Sequence, residues 1–177
     1  MSQAANAMKV PTLAITAVDG ALSLLPAAMT SPEAVAMLYA IGLQESRFQY
    51  RRQLGNGPAR GLWQFERGGG VHGVITHAAS RYWVASLCRA RGVKFQTQAV
   101  YAALEFDDVF AAGIARLLLF TDPRKLPALG EPDAAWNLYA RVWRPGKPHR
   151  KTWPEAHAAA NAAMPVPAEA ERALNLA

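Results

Sequence analysis

The sequence predicts a mainly helical fold, all-α or α+β, in which about six helices surround one glycine-rich loop that holds at most a small β element. Three observations support this prediction. Helix start and stop signals recur along the chain, seven glycines lie between residues 50 and 73, and 51% of the 177 residues are hydrophobic. That fraction is enough to bury one core without a metal ion or a disulfide bond. We therefore expect one domain over residues 1–177, with flexible ends at about 1–10 and 165–177.

The clearest helix start in the sequence is Ser-Pro-Glu at residues 31–33. Serine can cap a first turn, proline is tolerated there because its missing N–H would have no helical partner, and glutamate is stabilised by the positive end of the helix dipole. Apolar residues then recur at helical spacing. We expect this helix to end at about Glu45 or Ser46.

The rest of the chain alternates between loop signals and helix signals. Residues 50–73 are rich in glycine and predict a loop, and any β structure of the protein is expected there. Glycine or proline follows several of the later apolar segments, as is typical of helix ends. Five further helices are predicted, at about residues 74–91, 97–104, 107–120, 133–143 and 152–164.

The formal charge of +6 favours a polyanionic partner, such as nucleic acid, a membrane surface or a bacterial envelope. The basic residues are dispersed and no RNA- or DNA-binding signature accompanies them, so we expect no nucleic-acid partner. The apolar residues 10–29 are interrupted by Asp19 and Gly20 and are preceded by a single basic residue, Lys9. Such a segment is a poor signal peptide and a poor membrane span, and we expect synthesis in the cytoplasm without a signal peptide.

Cysteine and histidine usage argues against a disulfide framework and against a metal site. Cys88 is the only cysteine, and its apolar neighbours indicate a small core side chain on a helix face. His72 and His77 are five residues apart, which matches no standard zinc-ligand spacing. We expect neither a metal ion nor another cofactor.

Glu45 stands at the expected C-terminal end of the first predicted helix. There the negative end of the helix dipole disfavours ionisation, and apolar neighbours would add desolvation in the same direction. A carboxyl whose pKa is raised toward neutral pH can donate a proton to a departing glycosidic oxygen. The alternative for an isolated glutamate at a helix end is a solvated surface residue.

The residues that begin at Glu45 resemble a known family. Glu-Ser-Arg-Phe at residues 45–48 is followed by Gly-Pro-Ala-Arg-Gly-Leu-Trp-Gln-Phe at residues 57–65. These segments resemble the lytic transglycosylases and goose-type lysozymes of the lysozyme-like superfamily, in which a Glu-Ser pair closes the catalytic helix and a Gly-Leu-Met-Gln type segment comes about fifteen residues later. Here Gly61 lies 16 residues after Glu45, and Trp63 occupies the position where methionine is usual.

The resemblance implies an α+β lysozyme-like fold and a glycosidase that cleaves the β-1,4 bond between N-acetylmuramic acid and N-acetylglucosamine in peptidoglycan, with Glu45 as general acid. It also implies that Ser46 hydrogen-bonds near that carboxyl or the sugar. Glycines would let the backbone pass close under a sugar ring, and a glutamine would offer it a donor and an acceptor. An ordinary turn that leads to a buried tryptophan is the alternative. The further substrate-binding residues expected are Gly61, Leu62, Trp63, Gln64 and, in the adjoining glycine loop, His72.

Glu66 bears on the mechanism that the resemblance implies. Goose-type lysozymes often carry an aspartate two positions after the Gly-Leu-Met-Gln segment, which is thought to hold the water of an inverting hydrolysis, and Glu66 stands there in this sequence. A second acid with room for a water favours hydrolysis. Lytic transglycosylases lack a second carboxylate and form 1,6-anhydro products through the C6 hydroxyl of the substrate. Glu66 is therefore either the catalytic base or an ordinary loop charge that could pair with Arg67.

Two later segments extend the resemblance. Residues 110–118 resemble a helix of the family with a central glycine, here Gly113, that packs beneath the active site. Ala-Trp-Asn-Leu-Tyr at residues 135–139 occupies the place of an Ala-Tyr-Asn-Ala-Gly segment. By this resemblance Tyr139 would direct its hydroxyl toward the substrate, and the alternative is a half-buried aromatic residue of a helix.

Trp-Arg-Pro-Gly-Lys-Pro-His at residues 143–149 resembles a segment of phage-encoded lysozyme-like proteins. The resemblance implies a phage endolysin or a virion-associated lysin that acts on the host cell wall, with peptidoglycan and other virion proteins as partners. A lysozyme-like structural protein of the phage particle, without catalytic activity, is the non-enzymatic alternative. Physically the segment is a rigid turn whose aromatic and basic residues could line a carbohydrate groove or cap the fold.

Overall fold

The computed structural model describes residues 7–165 of the chain, and this part is mainly helical, as the sequence predicts. β structure within these residues is limited to two isolated bridges, which pair Arg60 with Arg52 and with Phe65. The flexible ends expected at about 1–10 and 165–177 lie mostly outside the described residues. The eight α-helices found within the described residues are Thr12–Ser23 (α1), Pro32–Ser46 (α2), His72–Thr76 (α3), Arg81–Arg91 (α4), Thr97–Ala103 (α5), Asp108–Phe120 (α6), Pro132–Trp143 (α7) and Trp153–Ala162 (α8).

Both ends of α2, the helix that carries the candidate acid, agree with the prediction. Ser31 Oγ accepts a 3.2 Å hydrogen bond from Ala34 N, and Pro32 is the first helical residue. α2 ends at Ser46 because Arg47 adopts a left-handed conformation, with φ 53°. Most residues of α2 are buried, and the helix packs chiefly against α8.

Two parts of the helix prediction are corrected by the structure. α1 lies in the apolar residues 10–29, for which no helix is predicted, and it buries Ala14, Val18 and Ala21 against α6. The prediction of one helix over residues 74–91 is wrong, because α3 and α4 are separate helices. Ser80 Oγ donates a 2.6 Å hydrogen bond to Val74 O across the break and so satisfies a carbonyl that a continuous helix would pair.

Ion pairs hold the glycine-rich loop between α2 and α3 against α5 and α6. Arg51 pairs with Asp108 at 2.6 Å, near the start of α6. Arg52 and Arg60 both contact Glu105, at 2.5 and 3.3 Å. Three of the dispersed basic residues therefore fix the position of the loop. Because carboxylates partly neutralise their charges, these residues attract an anionic partner less strongly.

One hydrophobic cluster extends from α1 to α8. Cys88 lies in it with 1% of its surface exposed, which confirms the expected core position, and burial raises the pKa of its thiol to about 11. Gly113 of α6 faces Leu87 of α4, and a Cβ atom on this glycine would lie 2.5 Å from Leu87 Cδ2. The glycine thus permits close packing of α4 on α6. Among the helices of residues 7–165, none is long and apolar enough to span a membrane.

Candidate active site

A large open cleft lies beside the C-terminal end of α2. Its volume is about 1220 Å³, and its walls come from the end of α2, the loop over residues 50–73, the end of α6, and α7 with the turn that follows it. The fold brings five residues that the sequence assigns to a substrate site to this cleft, from α2, the loop, α3 and α7. They are Glu45, Gln64, Glu66, His72 and Tyr139.

The Glu45 carboxyl is largely withdrawn from solvent at the wall of the cleft. Burial raises its pKa from 4.5 to about 7, the hydrogen bond from Tyr139 acts in the opposite direction, and the charge of Glu66 adds to the rise. Burial is the largest cause because the protein replaces the lost hydration of a carboxylate only in part. Near neutral pH a substantial fraction of Glu45 is therefore protonated and able to donate a proton.

Tyr139 holds the Glu45 carboxyl in one orientation. Its hydroxyl donates a 2.7 Å hydrogen bond to Glu45 Oε1. The tyrosine ring is buried and stacks on Trp153, with ring centroids 5.2 Å apart and an angle of 13° between the planes. Burial and the neighbouring Glu45 raise the pKa of Tyr139, so its hydroxyl remains a donor. The sequence predicts that this hydroxyl points toward the substrate, whereas the structure commits it to Glu45.

Glu66 is exposed and lines the same cleft as Glu45. The pairing with Arg67 considered from the sequence is not formed, because Arg67 Nη1 donates a 3.1 Å hydrogen bond to Gln98 Oε1 instead. Within residues 7–165, no ion pair involves the Glu66 carboxylate. Glu66 is thus a solvated carboxylate whose charge is felt at Glu45.

No family model, curated protein or solved structure matches this chain. The resemblance to lytic transglycosylases and goose-type lysozymes therefore stays a prediction from the motifs.

Ser46 does not contact the cleft, which corrects the substrate-binding role expected for it. Its side chain is buried, and its hydroxyl donates a 2.6 Å hydrogen bond to Leu62 O. The same Oγ accepts a 3.1 Å hydrogen bond from Phe48 N. Ser46 therefore joins the end of α2 to the returning loop. Its contribution to the site is the position of the neighbouring Glu45.

The segment Gly61-Leu62-Trp63 is buried behind the cleft wall and does not line the cleft, contrary to the substrate-binding position expected for all three residues. Trp63 Nε1 donates a 2.9 Å hydrogen bond to Leu38 O of α2. Gly61 has φ 75°, and a Cβ atom there would lie 2.7 Å from Leu104 O. This glycine is needed for a left-handed turn and for close packing against the residue that follows α5, which is the structural alternative considered from the sequence.

Gln64 lines the cleft, but its amide nitrogen, one of the two groups expected to contact a sugar, is hydrogen-bonded within the protein. Its Nε2 donates to two backbone carbonyls, Gly61 O at 2.8 Å and Tyr50 O at 3.1 Å. Because both partners accept, the amide nitrogen is fixed and the amide oxygen is the group left for a ligand donor. The residue has a positive φ of 49°, so the same hydrogen bonds also stabilise an unfavourable turn.

His72 and His77 both line the cleft, at the start of α3 and just after its end. His72 is exposed, and its predicted contact with a sugar stays a prediction. Within residues 7–165, no group of three histidine, cysteine, aspartate or glutamate side chains is arranged to hold a metal ion.

A contact that the sequence analysis missed fixes the turn after Glu45. Phe48 adopts a positive φ of 56° and folds its ring back onto α2, where a Cβ atom on Gly42 would lie 2.1 Å from Phe48 Cζ. The same ring meets Trp63 edge-on, with centroids 5.5 Å apart. The available signal was a glycine in the middle of a helix, three residues before the candidate acid, where glycine is otherwise unfavourable.

Proposed function

We propose that this chain is a peptidoglycan glycosidase that cleaves the β-1,4 bond between N-acetylmuramic acid and N-acetylglucosamine, with Glu45 as general acid. The observation that carries the proposal is the half-buried Glu45 carboxyl on the wall of an open cleft, which accepts a hydrogen bond from Tyr139 and whose pKa desolvation raises to about 7. Such burial makes the ionised form of a glutamate costly, so it lowers the stability of the folded protein at neutral pH. Carboxyls perturbed in this way within clefts are characteristic of acid–base catalysis.

The contact with Tyr139 suggests which oxygen of Glu45 donates. Because Glu45 Oε1 accepts from the tyrosine hydroxyl, we assign the transferable proton to Oε2. In the proposed step this proton moves to the glycosidic oxygen while the bond between that oxygen and C1 of the muramic acid residue breaks. The departing sugar leaves as a neutral alcohol, and positive charge develops at C1.

The presence of Glu66 in the same cleft supports water as the second reactant. In the proposed reaction the Glu66 carboxylate accepts a proton from the water as the water oxygen bonds to C1. The product is a reducing sugar end. Glu66 then releases its proton to solvent, and Glu45, which was ionised in the first step, regains one. Two carboxyl groups that act on opposite sides of the bond in this manner give inverting hydrolysis.

The dimensions and surface of the cleft support a polymeric substrate. Pockets for small ligands usually measure about 300–1,000 Å³, whereas this cleft has about 1220 Å³ and is open to solvent. Tyr50 and Leu54 line it with 41% and 67% of their surface exposed, and so offer apolar surface to sugar rings. A glycan strand that passes Glu45 suits these features better than a single small molecule.

A lytic transglycosylase is the second candidate function. It is favoured by the exposure of Glu66, since no ion pair within residues 7–165 fixes that carboxylate beside a water. In a transglycosylase the C6 hydroxyl of the muramic acid residue attacks C1, and the 1,6-anhydro product is lighter by one water. Glu45 would protonate the leaving oxygen in both reactions.

We place this activity in a bacteriophage, as an endolysin or a virion-associated lysin that acts on the host cell wall. The formal charge of +6 would favour approach to an anionic envelope. This setting rests on the motif at residues 143–149 and is separate from the chemistry proposed for the cleft.

Digestion of purified peptidoglycan sacculi, with the soluble products weighed by mass spectrometry, tests the proposed function. The proteins compared are wild type, Glu45→Gln and Glu155→Gln. Glu155 is an exposed carboxylate on α8 that does not line the cleft, so it controls for loss of charge. We expect products with reducing ends from wild type and Glu155→Gln and none from Glu45→Gln. Products of anhydro mass would support the transglycosylase instead.

Absence of release from sacculi of several wall types, by wild-type protein shown to be folded, would contradict both enzymatic candidates. That result would favour the catalytically silent lysozyme-like scaffold, because a fold can persist where its catalytic geometry does not.

A further inference from the structure

Residues 144–149, which follow α7, form a basic turn at one edge of the cleft. Its residues Arg144, Lys147 and His149 all line the cleft, and all three are exposed. Pro145 and Pro148 stiffen the turn, because proline restricts its own φ and the conformation of the residue before it. The two permanent cations of the turn, Arg144 and Lys147, are therefore presented on a short and restrained segment.

The charges of the basic turn are not neutralised by the protein. Other basic residues nearby are paired, since Arg141 contacts Asp122 at 2.6 Å and Arg150 contacts Asp133. Within residues 7–165, no carboxylate forms an ion pair with Arg144 or Lys147. Among the carboxylates of the cleft wall, Asp122 is the one nearest in sequence to the basic turn, and it is already paired with Arg141. Arg144 and Lys147 thus give this edge of the cleft a positive charge.

The turn is also tied to the residue that precedes the candidate acid. Gln44 Nε2 donates a 3.1 Å hydrogen bond to His149 O. Thr152 Oγ1 lies 2.9 Å from His149 O and 3.0 Å from Gln44 Oε1. Through these contacts the end of the turn is held next to α2, one residue from Glu45. A group bound on the turn would accordingly be held at a fixed distance from the Glu45 carboxyl.

We propose that Arg144 and Lys147 bind a carboxylate of the peptide substituent of the glycan strand. The proposal rests on the proposed function, because it takes the strand in the cleft to be peptidoglycan. When the peptide is attached, the lactyl carboxyl of muramic acid is an amide and the sugars are neutral, so the negative charges available to the turn are those of the peptide. A guanidinium can bind a carboxylate through two parallel hydrogen bonds, and an ammonium adds charge without a fixed geometry.

This assignment makes the turn a recognition site that distinguishes peptide-bearing glycan from bare glycan. The sugar chain would occupy the floor of the cleft beside Glu45, and the peptide would leave the cleft across the basic turn. Strands whose peptides are in place would reach the turn with a peptide carboxylate and obtain an additional electrostatic attraction, which salt weakens.

Binding measurements in the Glu45→Gln background test the proposal without turnover. The double variant Arg144→Gln/Lys147→Gln is compared with its parent on soluble peptide-bearing strands, on strands stripped of peptide by an amidase, and on neutral chitin oligosaccharides. We expect the double variant to lose about tenfold or more in affinity for peptide-bearing strands, because it can no longer form charge-assisted hydrogen bonds to the peptide carboxylate. Affinity for the neutral oligosaccharide should not change.

A matched control removes the same charge elsewhere. Arg89→Gln/Lys94→Gln changes two exposed cations on and after α4 that do not line the cleft, and it should leave all three affinities unchanged at equal ionic strength. The proposal would be overturned if the Arg144/Lys147 double variant lost as much affinity for the neutral oligosaccharide as for peptide-bearing strands. Loss on the stripped strands equal to that on peptide-bearing strands would also overturn it, because the ligand would then be the free lactyl carboxylate.

The two hypotheses fail in different ways. A wild-type protein that releases no product, yet binds peptide-bearing strands through the turn, would contradict the proposed glycosidase and keep the recognition site. A wild-type protein that cleaves sacculi, with strand affinities unchanged by the Arg144/Lys147 substitutions, would contradict the recognition site alone. Unfolding midpoints of each variant establish that the substitutions act on binding and not on stability.

Discussion

The Tyr139 hydroxyl donates a 2.7 Å hydrogen bond to Oε1 of Glu45, and the two residues are 94 positions apart in the chain. The contact joins α7 to the end of α2 and occupies one oxygen of the candidate acid. It also opposes the effect of burial, since a hydrogen bond to the carboxylate favours the ionised form. Tyr139 therefore affects both the orientation and the pKa of the proton donor.

Tyr139→Phe should move the pH dependence of activity and lower its maximum. Without the hydroxyl, the pKa of Glu45 rises above its value of about 7, so the alkaline limb of the pH–rate profile moves to higher pH. The maximal rate should fall roughly 10- to 100-fold, because the carboxyl is no longer held in one orientation. Tyr82→Phe, at an exposed position of α4, is the control. An unchanged profile for Tyr139→Phe would contradict the positioning role.

Glu66→Gln should move the same limb in the opposite direction. The charge of Glu66 raises the pKa of Glu45, so removal of that charge lowers the pKa and shifts the alkaline limb to lower pH. If Glu66 accepts the proton of the attacking water, hydrolysis should also fall by about 100-fold or more. The measurement is the rate of formation of reducing ends. A variant that forms them at the wild-type rate would remove Glu66 from the mechanism.

Gly42→Ala should destabilise the protein without touching the cleft. The new methyl group would lie 2.1 Å from Phe48 Cζ, so the phenyl ring must move and its edge contact with Trp63 is disturbed. We expect a loss of about 1–3 kcal/mol in the free energy of unfolding, measured with urea. Gly73→Ala, where a Cβ atom meets no neighbour within 4 Å, should show no such loss.

Phe48→Leu sharpens this test through a double-mutant cycle. Leucine lacks the ring atoms that the Gly42→Ala methyl would contact, so the double variant should be more stable than the sum of the two single changes predicts. Simple additivity of the two free energies would show that Gly42 and Phe48 do not interact in the folded protein.

The raised pKa of Glu45 also predicts how stability changes with pH. In the unfolded chain the carboxyl loses its proton near its ordinary pKa of 4.5, whereas the folded protein retains it until about 7. The free energy of unfolding therefore falls as pH rises through this window and is lowered by roughly 3 kcal/mol above it. Glu45→Gln lacks this contribution and should be the more stable protein at neutral pH. Parallel stability curves for the two proteins would contradict the shift.

The position of Glu45 at the end of α2 was accessible from sequence, because it depends on local signals, whereas its raised pKa depends on burial in the folded protein. A serine cap and a proline set the start of α2, and the left-handed residue after Ser46 sets its end. Nothing local indicates the Tyr139 partner, since that contact depends on how α7 packs over α2. α1 was missed because its cap residue, Pro11, forms no side-chain hydrogen bond that a sequence signal would indicate.

The loop residues show the limit of a motif that is read without a structure. Gly61, Leu62 and Trp63 stand in a motif associated with substrate binding, yet their backbone turns them into the core. A run of glycine and apolar residues suits a cleft wall and the layer behind it equally well. Only the packing of Trp63 against α2, through its hydrogen bond to Leu38 O, decides between the two.

The most direct test of the central claim is the rate of product release from sacculi by wild type and Glu45→Gln, measured across a pH range of about 4 to 9. If Glu45 is the general acid, the wild-type rate falls as pH rises through about 7, and Glu45→Gln releases nothing at any pH. Release by Glu45→Gln at the wild-type rate would contradict the account.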